Sequence, residues 1–532
     1  MLKIELQHNK GLKWIKINNI YFKGHFFDKK NKLYQDPKSI QKYFSVCNSE
    51  IIFKKKIKVI NGNFAVIMQN TNKLLVAVDK FRSIPLFYSV KNDNFYVSDN
   101  AYWLKQKLSL NKIDPVSEKE FLATRYVSGE NTLFKEVKQI QAGECLTVVE
   151  RNNKIEFKKE IYYRYLHKNF TKKNQKDLFK ELNIISENVF KRLIKSIDKN
   201  ATIVIPLSGG YDSRYIAVML KKINYKNVIC FSYGKKNNKE ATISKKVANK
   251  LGYKWFFVEY TPEKWFNWLS LEERIKYQKF AENLCSVMHI QDFLAVKKLK
   301  NEKLIPENSV FVPGHSGDLL GGSHTPKDIK IKKIYNIKHI SKYLFKTHYL
   351  NNYHSNKNDF LSKIKCSLSK IYKNNRLLSA EEFVSLTDFW NVSNRQAKFI
   401  INSVRVYEFW GHQWRIPLWD IELVSFWLKV PLKYRLKNKL YNGYLMSLFE
   451  QNHIDFKKNK KSYFLLKSKK LLQPMIPNRI FALYRRKIDA LEILSALKLF
   501  FKKNNFSTKK IIGSNLNLYL ANIQIINLKK IK

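Results

Sequence analysis

The chain of 532 residues is long enough for roughly two to four domains, and its hydrophobic content of 45% excludes an intrinsically disordered protein. It carries 99 Lys and Arg against 43 Asp and Glu, a formal net charge of +56, but the excess is spread along the whole sequence and forms no single basic patch. We therefore expect no nucleic-acid partner. Because no apolar run approaches the length of a membrane span, we also expect no membrane partner and a cytoplasmic location.

The cysteines show neither disulfide nor zinc spacing. None belongs to a Cys-x-x-Cys pair, and one alone has a histidine a helical turn away, so a metal site lacks ligands. We expect all five to be reduced core residues: Cys47, Cys145, Cys230, Cys285 and Cys366.

The first 165 residues are rich in short apolar runs of strand length. Residues 64–68, 74–78 and 95–98 are such runs, separated by clusters of Asn, Lys, Gly and Asp. This spacing predicts a mostly antiparallel, layered domain over residues 1–165.

Motifs within this domain resemble the glutaminase half of class-B asparagine synthetases. They are GNFA at 62–65, DKFRSIPLFY at 79–88, YVSGENTLF at 126–134 and GECL at 143–146, in the family's order. The resemblance implies an Ntn-hydrolase-like domain with αββα layers and a nucleophilic cysteine directly after the initiator methionine. Here that residue is Leu2, whose alkyl side chain cannot attack an amide, so we expect the glutaminase activity to be absent.

Residues 165–200 are polar with a helical apolar pattern, which predicts the first helix of a second domain over residues 175–460. The apolar positions recur at three- or four-residue spacing: Leu178, Leu182, Ile185, Val189 and Leu193.

Residues 201–222 (ATIVIPLSGGYDSRYIAVMLKK) indicate a buried strand, a glycine turn and a helix. Gly209 and Gly210 would allow positive φ and let backbone N–H groups converge on an anion at the helix start. Ser208 and Ser213 would provide hydroxyl donors for phosphate oxygens, and Asp212 would provide a carboxylate for Mg²⁺. These three side chains are also expected to provide the N-cap of the helix. The loop resembles the SGGxDS pyrophosphate loop of ATP pyrophosphatases, which implies ATP as the nucleotide.

From residue 201 strands and helices alternate, which predicts parallel βαβ units with ligands at the carboxyl ends of the strands. Strands are expected at 227–231 and 254–260, with a helix at 241–251 between them. Tyr233 and Gly234 follow the second strand, where backbone atoms would hold an adenine ring. The resemblance implies an adenine-nucleotide α-hydrolase-like (HUP) fold, so the overall class is α/β. Farther on, residues 283–299 are helix-like and carry His289, interpreted as a packed residue.

A second glycine-rich stretch, VFVPGHSGDLLGG at 310–322, follows another apolar run. It resembles the SGEGxDExFGG stretch of asparagine synthetases, which implies that Asp318 shares Mg²⁺ pyrophosphate with Asp212 and that Gly314 lies near the nucleotide. His315 stands where the family has its catalytic Glu. An imidazole can act as a base but does not neutralise an incoming ammonium, so aspartate is not assured as the substrate.

The third resemblance is RIPLWD at 415–420, in which Arg415 and Asp420 are interpreted as a structural ion pair. It implies a substrate-side helix, followed by a lysine that stabilises charge on phosphorus, either Lys437 or Lys439. Residues 461–532 combine apolar and basic helical patterns and are expected to form a C-terminal extension.

Together these stretches predict an asparagine synthetase-like ligase with ATP and Mg²⁺, in which Asp212, Asp318, His315 and Lys439 are catalytic. It would adenylate a small carboxylate, release pyrophosphate and pass the acyl group to ammonia or an amine, without glutamine hydrolysis. A homodimer is compatible with the sequence. Two alternatives stay open, a tRNA-modifying pyrophosphatase-loop enzyme and a catalytically inactive scaffold.

Overall fold

The computed structural model describes residues 1–349, 356–372, 376–456, 491–504 and 516–530. The predicted extension over residues 461–532 is described only in its two helices, and its other residues lie outside the described part of the chain. No helix among the described residues is both long enough and apolar enough to cross a membrane.

The first 165 residues form the predicted strands, with four helices between them. The strands are β1 Leu2–Glu5, β2 Trp14–Ile17, β3 Ile20–Phe27, β4 Leu33–Tyr34, β5 Asn61–Asn70, β6 Lys73–Val78, β7 Phe87–Lys91, β8 Asn94–Ser98, β9 Lys138–Gln139, β10 Glu144–Arg151 and β11 Lys154–Ile161. The helices are α1 Pro37–Phe44, α2 Glu50–Val59, α3 Ala101–Lys107 and α4 Pro115–Thr124.

These elements build two sheets between two helical layers. One sheet has the order β1-β8-β7-β9, and the other has the order β11-β10-β6-β5-β3-β2 with β4 beside β3. Strand β5 shows the layering, since Ala65 and Ile67 pack in the core shared with β7 and β8, whereas Phe64 and Val66 pack in a core lined by α1 and α2. Helix α3 contacts β7 and β8 on the far side. The predicted αββα architecture is confirmed.

The second half alternates strands with helices. The strands are β12 Ile203–Pro206, β13 Val228–Gly234, β14 Lys254–Glu259, β15 Val310–Phe311 and β16 Gln413–Trp414. The helices are α5 Gln175–Lys195, α6 Tyr211–Lys222, α7 Lys239–Leu251, α8 Pro262–Leu269, α9 Glu272–Glu282, α10 Phe293–Asn301, α11 Gly317–Gly321, α12 Ile337–His348, α13 Lys357–Ser369, α14 Ala380–Asn391, α15 Arg405–Phe409, α16 Ile421–Lys429, α17 Leu432–Arg435, α18 Lys439–Gln451, α19 Leu491–Lys503 and α20 Leu516–Lys530.

The strands of this half form a parallel sheet of order β14-β13-β12-β15-β16, as predicted. After β12 the chain continues to β13 on one side, and it returns later to β15 on the other. The gap between β12 and β15 is therefore the switch point where open α/β sheets bind ligands. Both glycine-rich loops follow these two strands, which brings them together at one edge.

A long broken helix runs behind the second loop. Helix α14 begins with a capping box formed by Ser379 and Glu382, continues into a π-helical segment Val392–Ile400 and a 3₁₀ turn Ile401–Val404, and ends in α15. A π-helical segment shifts the following side chains around the helix axis and is frequent at functional sites.

The two halves of the chain contact each other through buried charges. Lys23 of β3 pairs with Glu408 of α15 at 2.5 Å, and their side chains are 1% and 0% exposed. Arg405 also pairs with Glu408 and donates to the Ser83 carbonyl at 2.9 Å. Removing one member of such a set would leave a buried charge uncompensated, so these contacts fix the halves to one another.

Three expectations about the fold are wrong in whole or in part. The segment 283–292 is not helical, because Asn283 and Leu284 have positive φ and the backbone at 285–287 pairs with residues 125–127 of the N-terminal half. Arg415 does not pair with Asp420; it donates to Ser196, while Asp420 accepts two bonds of 2.8 Å from Arg192. All five cysteines are free, but Cys366 is exposed, since it lies on the outer side of α13.

Candidate active site

The first loop joins β12 to α6 and is held by its own serines. The Ser208 backbone N–H donates to the Ser213 hydroxyl oxygen at 3.1 Å, and the Gly210 N–H donates to the Ser208 hydroxyl oxygen at 3.1 Å. Neither Gly209 nor Gly210 has a positive φ. A Cβ on Gly209 would instead lie 3.3 Å from the backbone of Glu240, so close packing of the loop on α7 favours glycine there.

Helix α6 begins without a side-chain cap. Gly210 is its N-cap, with no side-chain hydrogen bond to the first turn, so the predicted cap by Ser208, Asp212 and Ser213 is wrong. The first N–H groups of a helix have no partner within the helix, and the helix dipole is positive at this end. The uncapped start of α6 therefore offers donors to an anion at the switch point.

The second loop lies directly against the first. A Cβ on Gly314 would come within 2.6 Å of the Ser213 backbone nitrogen, and a Cβ on Gly317 within 2.8 Å of the Asp212 carboxylate. Ser316 adopts the left-handed conformation at φ 71° before α11, and its hydroxyl donates to Gln396 of the π-helical segment at 2.6 Å. Glycine is required at positions 314 and 317 because the two loops approach so closely.

Asp212 and Asp318 meet where these loops touch. The Asp318 backbone N–H donates to Asp212 Oδ2 at 3.2 Å, and the Tyr441 hydroxyl donates to Asp212 Oδ1 at 2.7 Å. Ser323 donates to Asp318 Oδ2 at 3.0 Å. Burial, together with the charge of Asp318, raises the pKa of Asp212 to about 7.

The carboxylate pair suits a hard divalent cation. Mg²⁺ prefers one or two carboxylates and takes its other ligands from water and substrate phosphates. Burial is the larger cause of the raised pKa of Asp212, and the negative charge of Asp318 adds to it. In the described part of the chain no group of three or more His, Cys, Asp or Glu forms a metal cluster.

His315 lies in the second loop, three residues before Asp318, and contacts the broken helix. Its Nδ1 and Nε2 lie 3.1 and 3.2 Å from the Ser403 hydroxyl, and its ring centre lies 6.3 Å from that of His289. Burial and the nearby His289 lower the pKa of His315 to about 4. The imidazole is therefore neutral near pH 7.

The other predicted site residues take different positions. Tyr233 turns its side chain inward, stacks on Tyr260 at 5.0 Å and donates its hydroxyl to Asp292 at 2.5 Å, so that only its backbone and that of Gly234 border the strand end. Gly234 has a φ of 123° that favours glycine. Lys439 is exposed at the first position of α18, two residues before Tyr441, and Lys437 is exposed in the preceding turn.

Sequence reasoning missed Tyr441 and the residues that support the second loop. Tyr441 contacts Asp212 across 229 positions, and Gln396 and Ser403 belong to a helix whose π-helical segment has no local signature. The one available signal was the position of Tyr441, one turn inside the helix that begins at Lys439.

Comparisons with known proteins agree with this geometry. Residues 189–492 match the family model for asparagine synthase, and residues 48–163 match the model for a glutamine amidotransferase domain. The chain is 25% identical over 216 residues to asparagine synthetase [glutamine-hydrolyzing] 1 of Bacillus subtilis (strain 168). That match covers 39% of this chain and 32% of the relative, about a third of its length.

Solved structures give weaker matches. Glutamine phosphoribosylpyrophosphate amidotransferase from B. subtilis has a TM-score of 0.20 and 10% identity, over 49% of this chain and 75% of that one. NH₃-dependent NAD synthetase from Campylobacter jejuni has a TM-score of 0.20 and 14% identity, over 42% of this chain and 96% of that one. The asparagine synthase model alone spans more than half of the sequence, from the last turns of α5 past the active-site loops and α18. The chain therefore belongs to the asparagine synthase family.

Proposed function

We propose that the chain is an ATP-dependent amide-forming ligase that activates a carboxylate as an acyl-adenylate, releases pyrophosphate and transfers the acyl group to ammonia or an amine. The observation that carries this proposal is the meeting of Asp212 and Asp318, from separate loops, at the uncapped start of α6. Membership of the asparagine synthase family supports it.

Different groups of the chain would bind the phosphates, the metal ion and the adenine during formation of the acyl-adenylate. The N–H groups at the start of α6 and the Ser208 hydroxyl would bind the β- and γ-phosphates, since both are donors aimed at the switch point. Asp212 and Asp318 would hold Mg²⁺, which when bound neutralises charge on the departing pyrophosphate. Tyr441 orients Asp212 through its hydroxyl, and the backbone of Tyr233 and Gly234 would border the adenine. Lys439, exposed beside this site, would offer its ammonium to the phosphorus.

The acceptor nitrogen is proposed to come from solution and not from glutamine. Leu2 lies in β1 opposite Phe95, and its side chain has no atom that can attack an amide. The purified chain should release no glutamate from glutamine in the absence of ATP. Steady glutamate release would contradict this part of the proposal.

Exchange of pyrophosphate into ATP tests the ligase directly. We expect exchange that depends on one acid from a panel of carboxylic acids, beginning with aspartate. Asp212→Asn should lower the exchange rate by about 100-fold or more, because the cation loses a charged ligand. The exposed Asp328→Asn is the matched control and should exchange normally. Equal rates in Asp212→Asn and the control would refute the site, and exchange with no acid of the panel would refute the activity.

A further inference from the structure

A buried carboxylate that has no role in the proposed function so far, Asp292, accepts several hydrogen bonds behind the second loop. Asp292, 3% exposed, accepts the hydroxyls of Tyr233 and Tyr407 at 2.5 Å each, and His289 Nε2 lies 3.3 Å from its Oδ1. Although burial opposes ionisation, the hydrogen bonds from these side chains bring the pKa of Asp292 to about 2. Asp292 is therefore a fixed negative charge, held from two sides by strand β13 and helix α15.

This carboxylate orients His289 towards the second loop. With the Nε2 hydrogen donated to Asp292, His289 Nδ1 carries the free lone pair. The His289 side chain is 21% exposed and the Asp292 side chain 5%, so the imidazole is the more accessible member of the pair. Tyr277 of α9 donates its hydroxyl to the His289 carbonyl and so holds the backbone of this non-helical segment.

His289 is also next to His315, which marks the substrate side of the loop. The two ring centres are 6.3 Å apart with the planes at 73°, so the imidazoles lie edge to face and His289 borders the same loop as His315. The titratable groups that face His289 come from every element around it: Asp292 before α10, His315 in the second loop, Tyr233 in β13, Tyr407 in α15 and Tyr277 in α9.

We propose that His289 is the general base for the acceptor amine, with Asp292 as its positioning residue. This rests on the proposed function and assigns its second half-reaction. His289 Nδ1 takes a proton from the ammonium form of the acceptor, and the freed nitrogen lone pair forms a bond to the acyl carbon. The bond from that carbon to the AMP oxygen breaks, and its electron pair leaves with AMP. The acylated nitrogen then loses its extra proton to water, and the imidazolium returns the first proton to water as well.

His289 suits this task better than His315 for a physical reason. Burial lowers the pKa of His315 to about 4, so its imidazole binds a proton poorly near neutral pH. An imidazolium formed at position 289 would be compensated at once by Asp292, whereas the contact of His315 is a neutral hydroxyl, that of Ser403. His315 then lines the acceptor pocket in its neutral form.

The test separates the two half-reactions in the full-length protein. His289→Gln is compared with the wild type in pyrophosphate exchange with the panel of acids, in hydroxamate formation from hydroxylamine, and in amide formation from ammonium across a pH series. Hydroxylamine is largely unprotonated near neutral pH and needs no base. We expect exchange and hydroxamate formation within about threefold of wild type, and amide formation lowered by about 100-fold near neutral pH. The deficit should shrink as the pH approaches the pKa of the amine itself.

Two further variants test whether Asp292 acts through His289. Asp292→Asn should lower amide formation less than His289→Gln and shift its pH profile, while the exposed His453→Gln should behave as wild type. Normal amide formation in His289→Gln would refute the role of His289, and parallel loss of all three activities would reduce it to a structural residue. A wild type that exchanges with no acid would refute the proposed function, and this inference with it.

Discussion

At the scale of single residues, the close approach of α11 to its neighbouring helices depends on two glycines, which have no side chain. A Cβ on Gly321 would lie 2.5 Å from Tyr441 Cβ, and one on Gly322 would lie 2.4 Å from the Arg435 carbonyl oxygen. These distances are too short for a contact between a Cβ and another heavy atom. The glycines therefore allow Asp318 and the Tyr441 hydroxyl to reach Asp212 from two helices. The first turn of α11 is thereby fixed against the carboxylate pair.

Gly317→Ala should abolish exchange while leaving the protein folded. The new methyl group would lie 2.5 Å from the Tyr441 hydroxyl and 2.8 Å from the Asp212 carboxylate, so one of these must move. We expect a loss of about 1–3 kcal/mol in the free energy of unfolding, as for other overpacked sites, and a much larger effect on exchange. Circular dichroism during heating and the exchange assay measure the two effects.

Gly443→Ala is the matched control, since it places the same methyl group inside α18. Its nearest neighbour would be the ring edge of Phe179 at 3.1 Å, and alanine favours a helix over glycine by about 1 kcal/mol. Exchange should be retained. Loss of exchange in both variants, or in neither, would contradict the steric argument.

At the scale of elements, Asp420 joins three parts of the fold. It caps α16 by accepting the Glu422 N–H at 2.9 Å, accepts two bonds from Arg192 of α5, and accepts the Asn61 side-chain amide of β5 at 3.0 Å. The motif that contains it is thus a structural joint between helix α5, helix α16 and the N-terminal half.

Asp420→Ala should destabilise the protein far more than Glu422→Ala. The first change removes the cap and leaves Arg192, 8% exposed, without its bidentate partner, which typically costs about 3–5 kcal/mol. Glu422 is 36% exposed, and its loss should cost about 1 kcal/mol or less. The shift of the thermal midpoint measures the difference, and equal shifts would show that the joint is not important for stability.

Features of the fold that are determined by neighbouring residues could be predicted from the sequence, whereas features that depend on contacts between distant residues could not. Both loops were predicted because a strand, glycines and a helix start are local signals, and their meeting follows from the parallel strand order. The segment 283–292 was predicted wrongly as helix because its backbone pairs with residues 125–127, far away in sequence. The same reason hid His289 and Asp292, whose partners come from four other elements.

At the scale of the whole molecule, several buried histidines make the fold sensitive to acid. Burial is the leading cause that lowers each pKa from 6.5, aided by neighbouring positive charge: to about 4 for His167, His315 and His412 and to about 3 for His348. As the pH falls below about 6.5, these histidines bind protons in the unfolded chain, whereas in the folded chain they stay neutral until the pH is much lower.

Stability should fall as the pH drops from about 6.5 towards 4, by up to roughly 3 kcal/mol for each fully buried histidine. Burial raises the pKa of five acids, to about 7 for Glu144 and Asp212, and these acids act in the opposite direction: Asp79, Glu144, Asp212, Glu282 and Glu381. Burial also lowers the pKa of His8, His25 and His324. Seven histidines therefore oppose five acids, and we expect a net loss of stability, measured as the thermal midpoint at a series of pH values. A midpoint that stays constant or rises on acidification would contradict this reasoning.

One buried lysine connects the N-terminal half to the broken helix behind the second loop. Lys398, fully buried in the π-helical segment, donates to the carbonyls of Val127 and Gly129 at 3.3 and 2.5 Å, and two positions earlier Gln396 accepts from Ser316. Without those carbonyls, the ammonium group of Lys398 would keep only the Asn394 side-chain oxygen among its described acceptors, next to the helix that braces the loop of Asp318. The N-terminal half therefore supports the position of that loop, a role that does not depend on glutamine hydrolysis.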